Sequence, residues 1–78
     1  MQDWKGVVGR NVRALRHERG LSQEQLAHEA ELDVTYLRGI ERGRRNPSLL
    51  VMARVSTALQ VSPVRLLEVV QGVSEDDN

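Results

Sequence analysis

Seventy-eight residues, none of them cysteine, make one small domain and exclude disulfides and thiolate metal centres. Eleven basic and eleven acidic side chains cancel to a formal net charge of zero, so only the placement of charge can point to a partner. No apolar run approaches the ~18 residues of a membrane span, and Met1–Lys5 lacks the apolar core of a signal peptide, so the expected location is the cytoplasm.

Residues 1–7 are expected to form an N-terminal arm, with Trp4 as its packing anchor. Val8, Val12 and Leu15 then recur at helical spacing with Arg10, Arg13, Arg16 and Arg19 interleaved, and Gly20 is the natural C-terminal stop. Ser22-Gln23-Glu24-Gln25 reads as a capping box for a second helix to about Ala30, which presents Leu26, Ala27 and Ala30. Asp33 is a good N-cap for a third helix carrying Leu37 and Ile40 and ending at Gly43. Pro47 breaks the chain after it, and either Asn46 or Ser48 can cap a fourth helix, Leu49 to Leu59. Ser62-Pro63 places a cap and a first-turn proline before a fifth helix, Val64 to about Gln71. Residues 72–78, with Glu75, Asp76 and Asp77, are expected to be a flexible acidic tail. The expectation is an all-α, five-helix domain over residues 8–71.

Residues 23–42 carry the functional signal. Two short helices joined by Glu31-Leu32 can cross steeply where Ala27 is small, with Leu26, Ala30, Leu32, Leu37 and Ile40 turned inward. That leaves Val34, Thr35, Arg38 and Arg42 as one outward stripe on the third helix. Four arginines lie between Arg38 and Arg45 against the single acid Glu41, so this end of the body is strongly basic. A helix of this kind fits the major groove of DNA, its first turns reaching base edges. Elsewhere such a cluster would be ordinary solvated surface; the helix-turn-helix pattern around it gives it a purpose. His17 and His28 fall on different helices without metal-binding spacing, and no catalytic triad is placed, so no metal, cofactor, small-molecule ligand or enzyme activity is expected.

The stretch Leu21-Ser22-Gln23-Glu24-Gln25-Leu26-Ala27, with Ile40-Glu41-Arg42-Gly43 and Arg45-Asn46-Pro47-Ser48-Leu49, resembles the Cro/CI (XRE) family of phage-repressor-like regulators. The resemblance covers roughly Val8 to Leu67 and is greatest to the controller proteins of restriction–modification systems. It implies that Gln23 anchors a phosphate, Thr35 and Arg38 probe base edges, and Tyr36 lies on the sugar–phosphate wall. It further implies that Arg42, Arg44 and Asn46 grip the backbone, that Arg45 reaches a base from its loop, and that Arg16 and Glu41 form a structural ion pair. Glu24 is where some members touch RNA polymerase. Two departures stand out. Glu31 replaces the usual turn glycine, which costs roughly 1 kcal/mol if the backbone there is left-handed. Val34 can only touch a thymine methyl where relatives often carry a hydrogen-bonding side chain.

The last helix, with Val64, Leu66, Leu67, Val69 and Val70, is apolar over more than one core-facing stripe, and Leu50 and Val51 add to it. The expected interface is therefore Leu50, Val51, Val64, Leu67, Val69 and Val70, pairing two copies on an inverted-repeat site. The expected function is a homodimeric, sequence-specific regulator of transcription. The competing reading is a protein-interaction module, such as an antitoxin or a co-activator bridge, using the same apolar surface.

Overall fold

The computed structural model describes residues 1–69. Four α-helices run in order, α1 (Trp4–Glu18), α2 (Gln23–Ala30), α3 (Val34–Glu41) and α4 (Leu49–Leu59), and a short 3-10 helix, Pro63–Leu67, closes the described chain. There is no strand among the described residues.

Local chemistry explains most boundaries. Ser22 Oγ accepts the Gln25 amide at 3.0 Å while Gln25 Oε1 accepts the Ser22 amide at 2.8 Å, a complete capping box for α2. Asp33 accepts the Thr35 amide at 2.7 Å to start α3, and Ser48, rather than Asn46, accepts the Val51 amide at 3.1 Å to start α4. α1 begins earlier than expected, because Asp3 accepts the Gly6 amide at 3.1 Å and so caps the chain before Trp4. Trp4 stands half-exposed on that first turn instead of anchoring an arm, and Val7 joins the core.

The α2–α3 turn passes through Glu31 in the left-handed region, φ 58° and ψ 47°. Arg54 of α4 steadies this turn, donating from Nε to the Ala30 carbonyl at 3.2 Å and from Nη2 to the Glu31 carbonyl at 2.8 Å. These carbonyls belong to the unpaired end of α2, where a cation is favoured.

The expected fifth α-helix is not formed: the described residues hold four, and Pro63–Leu67 is 3-10. Ser62 and Pro63 start this element as the sequence suggests, Ser62 Oγ accepting the Val64 amide at 3.3 Å. Its continuation is diverted from outside. The Asn11 amide of α1 donates to both the Leu66 and the Glu68 carbonyls at 2.8 Å, oxygens that an α-helix would offer to amides four residues on. Glu68 accordingly turns extended, with ψ 133°. Val70, Gln71 and the acidic tail lie outside the described residues.

One core unites the elements: Val8, Val12, Leu15, Leu26, Leu37, Ile40, Met52, Val55, Leu59 and Leu66 are buried together. Each such side chain contributes about 1.5–3 kcal/mol on leaving water. α1 also meets the end of α3 backbone to backbone. A Cβ on Gly9 would collide with the Ile40 carbonyl oxygen and lie 2.8 Å from that of Glu41. No helix of the described residues is long and apolar enough to cross a membrane.

Candidate nucleic-acid interface

α3 divides cleanly. Leu37 and Ile40 point into the core, while Thr35 and Arg42 are exposed and Arg38 is half-exposed on the outer side. Val34, expected on the same stripe, is half-buried against the core, consistent with a side chain that has no hydrogen bond to offer. Arg44, Arg45 and Asn46 are exposed on the loop that leads to α4.

Arg45 folds back onto α3. Its stem crosses Gly39, where a Cβ would lie 2.7 Å from Arg45 Cγ, and its guanidinium stands 5.8 Å from the centre of the half-buried Tyr36 ring. The loop arginine is thereby brought alongside the helix that presents Thr35 and Arg38. The resemblance implies that Arg45 reaches a base; it gives no sign of Gly39, whose lack of a side chain makes room for the arginine's stem.

Behind this face lies a polar network. Arg16 and Glu41 form the expected ion pair, Nε to Oε2 at 2.6 Å and Nη2 to Oε1 at 3.0 Å, with side chains only 9% and 3% exposed. Arg16 Nη1 also donates to the Leu21 carbonyl at 2.9 Å, so the buried guanidinium is well satisfied. Gln23 Nε2 donates to Glu41 Oε1 at 3.0 Å, and Arg38 Nε donates to Gln23 Oε1 at 3.1 Å. Arg13, His17, Gln23 and Arg42 line a cleft over this pair. Arg13 and His17 were not expected there, although their spacing about Arg16 on α1 puts all three on one side of that helix.

The apolar surface lies away from these groups in sequence. Leu50 is 67% exposed, Val64 65% and Leu67 44%, whereas Val51 and Val69 are half-buried and Leu66 belongs to the core. Leu49, which the sequence reading passed over, is 78% exposed. Val70 is outside the described residues.

Comparison with known proteins gives a consistent result. A family model described as helix-turn-helix matches residues 12–66. The chain is 40% identical over 65 residues to the HTH-type transcriptional regulator y4dJ of Sinorhizobium fredii, covering 83% of this chain and 84% of that protein. It is 46% identical over 63 residues to the control protein C.BamHI of Bacillus amyloliquefaciens, covering 80% and 78%. Among solved structures, the restriction–modification controller protein C.AhdI from Aeromonas hydrophila superposes with a TM-score of 0.78 at 44% identity, over 80% of this chain and 94% of that one.

Proposed function

The chain belongs to the helix-turn-helix (Cro/CI, XRE) family of transcriptional regulators, and from that premise we propose that it binds double-stranded DNA by laying α3 in the major groove. The observation that carries this reading is the division of α3, with Leu37 and Ile40 buried and Thr35, Arg38 and Arg42 turned outward. In this reading Thr35 and Arg38 address base edges and Arg45 reaches a base beside them. Arg42, Arg44, Asn46 and Gln23 meet phosphates, and Tyr36 lies against the sugar–phosphate wall. The protein acts by occupancy of its site and not by catalysis.

Two copies act together on an inverted repeat. The exposed Leu49, Leu50, Val64 and Leu67 supply apolar surface that a solvated monomer does not need. A two-fold pair would set the recognition helices about 34–36 Å apart, one turn of duplex. The similarity to C.BamHI and C.AhdI supports a narrower form, control of a restriction–modification operon, in which Glu24 on the exposed side of α2 is available to RNA polymerase.

The same apolar patch would serve an antitoxin or a co-activator bridge, and duplex titration separates the two readings. A duplex selected from a randomised library should bind far more tightly than random duplex. The log–log salt slope should fall near −5 to −9, as about 6–10 neutralised phosphates require. Equal affinity for selected and random duplex, or a flat salt response, would favour the protein-interaction module.

A further inference from the structure

Four side chains link the interior of the domain to the outer side of α3. Arg16 grips Glu41 at 2.6 and 3.0 Å, Glu41 Oε1 accepts from Gln23 Nε2 at 3.0 Å, and Gln23 Oε1 accepts from Arg38 Nε at 3.1 Å. The chemistry of the end groups admits one orientation of the central amide. A carboxylate can only accept and a guanidinium can only donate, so Gln23 must turn its NH2 to Glu41 and its carbonyl to Arg38.

The consequence falls on Arg38. A guanidinium can offer a pair of acceptors either its side fork, Nε with one Nη, or its end fork, the two Nη groups. With Nε–H spent on Gln23, only the end fork remains whole for a group outside the protein. We propose that Gln23 is a positioning residue for base recognition. By holding Nε it restricts Arg38 to end-on presentation, which suits paired acceptors such as O6 and N7 of guanine, and the buried Arg16–Glu41 pair is its fixed anchor.

This rests on the reading of α3 as the recognition helix. It gives Gln23 a duty beyond phosphate contact, and it gives the buried pair a part in readout as well as in stability. Arginine surrenders much rotamer freedom on ordering, and holding it before the encounter moves that loss from binding to folding. The Gln23 NH2 keeps a second hydrogen, so a phosphate contact and the hold on Arg38 are compatible.

The test compares wild type, Gln23→Met, Arg38→Ala and the double variant. Each is titrated with the duplex that wild type selects from a randomised library, with its single-base-pair variants and with random duplex. Gln23→Met is expected to lower discrimination about fivefold or more at the base pair that Arg38→Ala no longer reads, and to change it no further in the Arg38→Ala background. Equal weakening on selected and random duplex, or effects of the two substitutions that simply multiply, overturns the proposal while leaving DNA recognition by α3 intact. Failure of wild type to select any duplex overturns both.

A second measurement needs no DNA. In the free wild-type protein the 15N-resolved Arg38 Nε–H signal should exchange slowly with solvent, and Gln23→Met should release it. A fast-exchanging Arg38 Nε–H in wild type overturns the proposal even if the variant fails to fold.

Discussion

The guanidinium of Arg45 stands 5.8 Å from the centre of the Tyr36 ring, and its stem lies across the bare Cα of Gly39. Contact of a cation with an exposed aromatic face is worth about 0.5–1 kcal/mol, enough to bias one exposed side chain but not to stabilise a fold. Gly39→Ala should therefore separate stability from binding. Alanine gains about 1 kcal/mol of helix propensity over glycine, and its methyl displaces only a solvent-facing arginine. The melting temperature should hold or rise by a few degrees, while affinity for a selected duplex falls because Arg45 is dislodged. Thermal melts by circular dichroism and duplex titration check the two halves. A drop of more than ~5 °C would show that the displaced arginine is not free to move.

The same substitution at Gly9 should have the opposite sign. There the added methyl meets the backbone carbonyl oxygens of Ile40 and Glu41, which cannot step aside without moving α3. The expected loss is about 2–3 kcal/mol, or roughly 10–20 °C in the melting temperature of so small a domain. Equal melting of Gly9→Ala and wild type would mean that α1 and α3 are not in backbone contact.

Arg16 and Glu41 are both almost fully buried, so removing either leaves an uncompensated charge inside the protein. Arg16→Ala or Glu41→Ala should cost on the order of 3–5 kcal/mol in denaturant unfolding. The double variant Arg16→Met with Glu41→Leu should recover most of that loss, because apolar side chains of similar volume carry no desolvation penalty. A double variant as unstable as either single one would show that the pair supplies net stability.

Glu31 and Gln60 both take left-handed conformations, at φ 58° and 61°, where a side chain is strained. Glu31→Gly should stabilise the domain by roughly 1 kcal/mol, because glycine enters this region freely. Gln60→Gly, at the left-handed C-cap of α4, should give a similar increment on its own. Chemical denaturation of the single and double variants measures both terms; destabilisation by Glu31→Gly would mean that its side chain contributes more than the strain costs.

Leu67→Glu places a charge at an exposed apolar position of the proposed interface while leaving the buried Leu66 untouched. If two copies pair through this surface, sedimentation equilibrium should show a shift from dimer to monomer, and an inverted-repeat duplex should lose its advantage over a single half-site. An unchanged mass would move the interface elsewhere.

What could be read in advance follows a physical divide. The caps at Ser22, Asp33 and Ser62 were legible because donor and acceptor lie two or three residues apart, and the buried stripe of α2 and α3 was legible from helical spacing. The type of the last helix was not, because the Asn11 amide that takes its carbonyls sits 55 residues away. Likewise the bonds joining Gln23 to Glu41 and Arg38 span 18 and 15 residues and exist only once α2 and α3 have crossed. Helical spacing alone turns Val34 outward, whereas its half-burial depends on how closely α3 seats on the body.

That seat has a larger consequence. α1 bears on the final turn of α3 through main-chain atoms at Gly9, with no side chain between them whose size could be retuned. The attitude of α3 is thus inherited from the chain path, while on the proposed reading its vocabulary would reside in Thr35, Arg38 and the loop arginine. Exchanging those letters need not tilt the page: if α3 reads DNA as proposed, new operators would be open to this scaffold while the seat at Gly9 stays as it is.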